Sequence, residues 1–225
     1  MTVPATPLPE ALTRFVHRFV PAREGVEGAG IVLLLLHGTG GDENDLLQLG
    51  EMISHGAAIL SPRGRVLEGT APRFFRRLRE GVFDVPDLKA RATELAEFIG
   101  AARVAYELGD RPIVAVGFSN GANIAGALLL AHGPVLQGAV LLRPMLPYEP
   151  ESPPRVKDTP VLIAAGESDP FGTPEQMERL REVLAGGGAR VTLHLATAGH
   201  HLTQGDVSVV RTWLEREFKP LKTAP

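Results

Sequence analysis

Runs of apolar residues without a polar face occur at several places along the chain. The longest runs from Ile31 to Leu36, and others run from Ile113 to Val116 and from Val161 to Ala165. A run of this kind is buried on both sides, as a central strand of a parallel sheet is. We therefore predict strands at these places, with further strands at 15–20, 57–60, 139–142 and 191–195.

Between these runs the apolar residues return at helical spacing. From Asp87 to Leu108 they recur every three or four positions, as in an amphipathic helix, and Gly109 follows as a stop signal. The proline-rich segment 144–160 is predicted as a loop. Further helices are predicted at 120–131, 174–184 and 204–218. Because strands and helices alternate, the pattern predicts an α/β fold with a mostly parallel, doubly wound sheet of about seven strands and helices on both faces.

Length and composition fit one domain of this kind. The chain has 225 residues, of which 44% are hydrophobic, so residues 1–225 are predicted to form a single α/β domain. Residues 1–12 are expected to be a poorly ordered N-terminal extension. The net charge is only −3 and the basic residues form no long tract, which argues against nucleic acid or an anionic membrane as partner.

The residue types present also exclude several kinds of site. The chain has no cysteine, which excludes a disulfide framework, a thiolate zinc site and a cysteine nucleophile. His200 and His201 are adjacent and lack the spacing of a metal-binding pair, so neither a metal nor a cofactor is expected. The N-terminus has no basic segment followed by an apolar run, and residues 31–36 are too few to span a bilayer. We expect a cytoplasmic protein without an integral membrane segment.

The segment Gly117-Phe118-Ser119-Asn120-Gly121 stands between a predicted strand and a predicted helix. This is the context of a Gly-x-Ser-x-Gly turn, in which the serine is held in a strained conformation with its hydroxyl exposed. Since the chain has 25 glycines, the motif alone is only moderately specific, and a serine that merely caps the helix is the alternative. The position directly after a strand favours Ser119 as a nucleophile.

A serine nucleophile needs a base and an acid that orients the base. In this type of fold the acid follows the serine in the chain and the histidine comes last. Asp169 is favoured as the acid over Glu167, which almost abuts its strand. His200 is favoured as the base, although spacing alone leaves His201 as an alternative. Thr203 and Asp206 resemble a capping box that begins the last helix, which places His200 in the loop before it.

Acyl transfer places negative charge on a carbonyl oxygen, which preorganised backbone N–H groups stabilise. The N–H of Asn120 is one expected donor, and that of Thr39, in the glycine-rich loop after the strand at 31–36, is the other. Glycines in this position also form phosphate or dinucleotide cradles. However, no lysine followed by Ser or Thr is present, and Glu43 stands where a dinucleotide fingerprint needs its third glycine.

A few apolar residues near these motifs are candidates for the wall of an acyl or aryl pocket. They are Phe74, Phe75, Phe83, Met145 and Leu146. The three phenylalanines serve equally well as anchors of their loop on the core, and the sequence does not separate the two roles. The arginines of this segment are predicted to form a solvated face, with an acidic substrate as the less favoured alternative. They are Arg73, Arg76, Arg77 and Arg79.

Five parts of the chain together resemble a known family. They are the segments 37–43, 73–77 with 80–84, 117–123, 166–170 and 199–203. The sequence resembles the small carboxylesterase, phospholipase and acyl-protein thioesterase branch of the α/β-hydrolase superfamily, and within it the bacterial carboxylesterases encoded near hydroquinone dioxygenases. The resemblance implies an α/β-hydrolase fold with Ser119, Asp169 and His200 as the catalytic triad, and Thr39 and Asn120 as oxyanion donors.

The sequence thus predicts a cofactor-independent serine carboxylesterase. Its substrate is expected to be a small-molecule ester with a short- to medium-chain or aryl group, hydrolysed through an acyl-enzyme on Ser119. Acyl-thioesterase or lysophospholipase activity is the alternative within the same class. A non-catalytic ligand-binding protein that kept the fold is a second alternative. The sequence allows a homodimer.

Overall fold

The protein has a central sheet of seven strands. The computed structural model describes residues 8–218. In chain order the helices and strands are α1 (Glu10–Thr13), β1 (His17–Val20), β2 (Val32–Leu36), α2 (Leu47–Ile53), β3 (Ala58–Pro62), β4 (Val66–Glu68), β5 (Ala71–Arg73), β6 (Arg77–Arg79), β7 (Val82–Phe83), α3 (Val85–Ala105), β8 (Ile113–Phe118), α4 (Asn120–His132), β9 (Gly138–Leu142), β10 (Pro160–Gly166), α5 (Pro174–Gly186), β11 (Arg190–Ala196) and α6 (Gln204–Glu217).

The strands lie in the order β1-β3-β2-β8-β9-β10-β11. Only β1 pairs antiparallel, with β3, and every other neighbouring pair of this sheet is parallel. The carboxyl ends of β2, β8, β9 and β10 therefore meet at one edge of the sheet. Loops that follow these strands are brought together there, which is where open α/β sheets bind their ligands.

Helices cover both faces of the sheet, as the sequence predicts. The apolar run of β2 alternates between two cores, with Leu34 and Leu36 on one face and Leu33 and Leu35 on the other. The first core also contains residues of α1, α3, α4 and α5, and the second contains residues of α2 and α6. The predicted doubly wound sheet is confirmed, and the run lacks a polar face because each of its sides meets a layer of helices.

The predicted N-terminal extension needs a correction. Residues 1–7 lie outside the described residues. The prediction is wrong for the last part of the segment, because α1 begins at Glu10 and Leu12 is fully buried in the first core. The ring of Phe15, just after this helix, lies 4.8 Å from that of Phe98 on α3, measured between centroids. Burial of these two apolar side chains fixes the segment on the domain.

Two small antiparallel hairpins stand between β3 and α3. Strands β4 and β5 form one, and β6 and β7 form the other. Neither these hairpins nor helix α2 is predicted from the sequence. In the part of the chain that the structure describes, no helix has both the length and the apolar character needed to cross a membrane.

Candidate active site

Ser119 lies in a sharp turn between β8 and α4. Its φ and ψ angles are 52° and −110°, in a region that L-residues rarely adopt. Its N–H donates to the carbonyl of Leu142 at 2.9 Å. A Cβ atom at Gly117 would overlap the carbonyl of Gly121, and one at Gly121 would overlap that of Leu36. The turn therefore requires both glycines, and the rest of the fold maintains the strained backbone of the serine.

A continuous chain of hydrogen bonds links the three residues predicted as the triad. Nε2 of His200 lies 2.8 Å from Oγ of Ser119, and Nδ1 of His200 lies 2.8 Å from Oδ2 of Asp169. The other carboxylate oxygen of Asp169 accepts a bond from the N–H of Phe171 at 2.9 Å. An Nδ1–H that donates to Asp169 leaves Nε2 free to accept the proton of the serine hydroxyl.

The structure places the two alternative residues away from this chain. Glu167 is exposed and accepts a hydrogen bond from the hydroxyl of Thr197 at 3.0 Å. The side chain of His201 is also exposed. The capping box of Thr203 and Asp206 is present at the start of α6, which confirms that prediction and leaves the two histidines in the preceding loop.

Asn120 and Thr39, the predicted oxyanion donors, line the same cavity as Ser119. Asn120 is the first residue of α4, so its N–H is among those that have no acceptor within the helix. Its side-chain Oδ1 accepts a bond from the N–H of Phe74 at 2.8 Å. The hydroxyl of Thr39 accepts a bond from Nη1 of Arg73 at 2.6 Å, which holds the glycine-rich loop from one side.

His37, at the start of this loop, is buried, and its ring restrains the loop through two further hydrogen bonds. Its Nδ1–H donates to the carbonyl of Gly38 at 2.7 Å, and its Nε2 accepts from the N–H of Gly64 at 2.9 Å. Burial lowers the pKa of His37, so the ring is held neutral. In the sequence, His37 stands out only as the first residue of the segment 37–43.

The cavity beside Ser119 has a volume of about 270 Å³. Its lining residues are Thr39, Arg73, Arg77, Glu80, Gly81, Phe83, Phe118, Ser119, Asn120, Asn123, Arg143, Met145, Phe171 and His200. Phe83 and Met145 thus lie where the sequence analysis expects them. Phe74, Phe75 and Leu146 do not line this cavity, so the pocket role is wrong for them, and Phe74 and Phe75 take the alternative role of core anchors. All three pack in or against the first core, and the first two are almost fully buried.

The predicted solvated face of arginines is wrong for Arg73. Only 4% of its side chain is exposed, and its guanidinium lies 3.4 Å from Glu68. Arg77 lines the cavity and pairs with the same carboxylate at 2.6 Å. Because Glu68 compensates both arginines, this side of the cavity carries less positive charge than the sequence suggests.

Several residues around the candidate triad are not recognisable from the sequence. The rings of Phe118 and Phe171 lie 5.4 Å and 4.8 Å from the ring of His200. The side chain of Asn123 accepts a bond from the N–H of Met145 at 2.7 Å and so fixes the loop after β9. Arg143 is fully buried beside the loop that carries His200. Its one sequence signal is a charged residue placed directly after a buried strand. Within residues 8–218, no group of three or more His, Cys, Asp or Glu side chains could hold a metal ion.

Comparison with known proteins places this arrangement in a family. The family model described as "Dienelactone hydrolase family" matches residues 87–208, more than half of the chain. The chain belongs to the dienelactone hydrolase family. The matched segment of this family member contains Ser119, Asp169 and His200.

The similarity of this dienelactone hydrolase family member to individual relatives covers most of the chain. MhqD of Bacillus subtilis (strain 168), a protein named as a hydrolase, is 47% identical over 182 residues, which are 81% of this chain and 91% of that protein. The Bacillus cereus carboxylesterase is similar in structure with a TM-score of 0.86 and 42% identity, over 92% of this chain and 99% of that one. The Mesorhizobium loti carboxylesterase has a TM-score of 0.83 and 31% identity, over 92% and 97%. These matches confirm the α/β-hydrolase fold.

Proposed function

We propose that this hydrolase is a serine carboxylesterase that cleaves short- to medium-chain or aryl carboxylic esters through an acyl-enzyme on Ser119. The proposal rests on one observation, the hydrogen-bonded chain from Asp169 through His200 to Ser119 at the wall of a cavity. The similarity to two proteins described as carboxylesterases, at 42% and 31% identity, supports it.

The geometry suggests a role for each group. Nε2 of His200 takes the proton of Ser119 as Oγ attacks the ester carbonyl, and Asp169 stabilises the imidazolium that forms. The N–H groups of Asn120 and Thr39 donate to the oxyanion of the tetrahedral intermediate. His200 then gives its proton to the departing alkoxide or aryloxide. Water attacks the acyl-enzyme with His200 again as the base, and His200 returns this proton to Oγ of Ser119 as the carboxylic acid is released.

Ester turnover and active-site labelling test this proposal. We expect the protein to hydrolyse p-nitrophenyl acetate or butyrate and to be labelled by a fluorophosphonate on Ser119. Ser119→Ala should abolish labelling and lower kcat by on the order of a thousandfold or more, because the nucleophile is lost. Ser208→Ala is the matched control, since Ser208 is exposed on α6 and should leave both readouts unchanged.

A panel of further substrates tests the class of ester, and it includes simple lactones, acyl thioesters and lysophospholipids besides the open-chain esters. A preference for thioesters or lysophospholipids would show that the protein is an acyl-thioesterase or a lysophospholipase and not a carboxylesterase. A protein that binds an ester tightly, without turnover and without fluorophosphonate labelling, would overturn the proposed chemistry. A cytoplasmic location and a homodimer stay predictions.

A further inference from the structure

Arg143 is a buried cation outside the candidate triad, and burying its charge costs free energy. It directly follows β9, which lies between the strands that lead to Ser119 and to Asp169. Its side chain has 0% exposure. Its φ angle is 53°, in the left-handed region that favours glycine. A buried charge on a strained backbone persists only where the surrounding contacts compensate both costs.

Every donor of the guanidinium is matched by an acceptor. Nε donates to the carbonyl of Gly199 at 3.0 Å, and Nη1 to the carbonyl of Ala164 at 3.1 Å. Nη2 donates to the carbonyl of His201 at 3.0 Å. The remaining two donors reach the carboxylate of Asp206 at 3.0 and 2.7 Å. A guanidinium has five N–H donors in a rigid plane, so this set uses all of them.

Two of these acceptors stand on either side of His200 in the chain. The carbonyls of Gly199 and His201 are held by Nε and Nη2 of the same planar group. The backbone that carries the imidazole is thus restrained both before and after His200. A lysine ammonium at position 143 is a single point of charge and cannot reproduce this fork.

The same short segment also restrains the nucleophile. The carbonyl of Leu142 accepts the N–H of Ser119 at 2.9 Å, and the N–H of Arg143 donates to Ala164 on β10 at 2.8 Å. The end of β9 therefore contacts the backbone of the serine through one residue and the loop of the histidine through the next.

Asp206 anchors the far side of the guanidinium. It is the N3 residue of the α6 capping box, and it accepts bonds from the N–H and hydroxyl of Thr203 at 2.7 and 2.8 Å. Burial alone would raise the pKa of Asp206, but the bonds from Arg143 and Thr203 hold it below its ordinary value. The carboxylate thus stays charged and compensates the charge of the guanidinium.

We propose that Arg143 is a positioning residue of the hydrolytic site, which holds His200 in register with Ser119 by clamping the two carbonyls beside it. This inference rests on the proposed function, because it concerns proton transfer between those two residues. A displacement of about 1 Å in such a site can lower the rate by on the order of a hundredfold.

Two substitutions in the same ion pair separate positioning from stability. Arg143→Lys keeps a positive charge beside Asp206 but loses the fork to Gly199 and His201. Asp206→Asn removes the charge of the same pair but keeps one side-chain oxygen as an acceptor, and it leaves the carbonyls of Gly199 and His201 available to Arg143. Both variants should melt at a lower temperature than the wild type. Only Arg143→Lys should lower kcat for p-nitrophenyl butyrate, by about tenfold to a hundredfold, with KM within about twofold and fluorophosphonate labelling slowed in parallel.

The inference is overturned if Arg143→Lys keeps kcat within about twofold of the wild type, or if Asp206→Asn loses as much kcat at an equal loss of melting temperature. If Arg143→Lys does not fold, the double variant Arg143→Met/Asp206→Asn replaces it, since removing both charges avoids an uncompensated buried ion. A folded double variant with low kcat beside an active Asp206→Asn supports the inference, and one with wild-type kcat overturns it. Failure of the proposed function is recognised separately, because the wild type would then show neither turnover nor labelling.

Discussion

At the scale of single residues, His37 shows how a buried titratable group restrains the loop that carries Thr39. Its ring lies between the carbonyl of Gly38, which accepts from Nδ1–H, and the N–H of Gly64, which donates to Nε2. A proton on Nε2 would set one N–H against another. Burial lowers the pKa of His37 and outweighs the opposing effects of nearby carboxylates, so folding and protonation of this ring compete.

This competition predicts an acid-sensitive part of the folding stability. The ordinary pKa of the group is 6.5, and the folded value is lower. Between the two values the unfolded chain binds more protons, so the free energy of unfolding falls as the pH falls. The contribution of His37 should be complete above about pH 6.5 and be lost progressively below it. Urea unfolding from about pH 5 to pH 8 measures this slope, and His37→Gln should flatten it. An equally steep slope in the variant would assign the acid sensitivity to other groups.

At the scale of elements, the turn from β8 to α4 depends on the two glycines that flank Ser119. A methyl group on either would overlap a backbone carbonyl, that of Gly121 or that of Leu36, and backbone cannot move aside as a side chain can. We expect Gly117→Ala and Gly121→Ala each to lower the free energy of unfolding by about 3 kcal/mol or more. The urea midpoint at unchanged slope measures this loss.

Gly100 supplies the matched control for these two substitutions. It lies inside α3, and a Cβ atom added there meets no heavy atom within 4 Å. Gly100→Ala should therefore stabilise the protein by about 0.5–1 kcal/mol, because alanine loses less backbone entropy in a helix. A wild-type midpoint for Gly117→Ala would show that the turn can relax and would contradict the steric argument.

How far the sequence predicts these elements depends on how much of each is buried. The run at 31–36 is recognisable because both of its faces meet a core. Helix α2 has only two buried residues, Gly50 and Ile53, and the hairpin strands of two or three residues contain a single one, Arg73, so neither leaves a clear hydrophobic period. Helix α3 begins at Val85 and not at Asp87, because the side chain of Asp84 caps it by accepting the N–H of Asp87.

In the candidate site, too, some residues could be predicted from the sequence and others could not. Although spacing alone leaves His201 as an alternative to His200, the loops that carry Ser119, Asp169 and His200 could be selected from chain order, because parallel strands bring their carboxyl ends to one edge whatever the side chains do. The pocket could not, since it depends on which way each side chain points. Arg73 was misplaced on the surface because its partners, Thr39 and Glu68, come from other segments and compensate its charge only in the folded chain.

At the scale of the whole molecule, the cavity is formed where separate parts of the chain meet. The glycine-rich loop, the hairpins before α3, the β8 turn and the loops after β9 and β10 each contribute to its wall. Its volume of about 270 Å³ is near the lower end of the range for small-molecule sites. Under the proposed function we expect a cavity of this size to accept short acyl groups better than long ones, which would be a property of the assembled fold and not of any one motif.

Phe83 and Leu146 allow a paired test of this size limit. Phe83 lines the cavity, with its ring edge-on to that of Phe75 at 5.1 Å, whereas Leu146 packs against the core outside the cavity. Phe83→Ala should open the wall and raise kcat/KM for p-nitrophenyl octanoate relative to butyrate by about tenfold, since each added methylene gains an apolar contact. Leu146→Ala should lower the free energy of unfolding and leave that ratio unchanged. If Phe83→Ala also leaves the ratio unchanged, the acyl chain does not lie against Phe83. The ring would then face the leaving group, and its loss should instead change the preference among alcohol or aryl groups at constant acyl length.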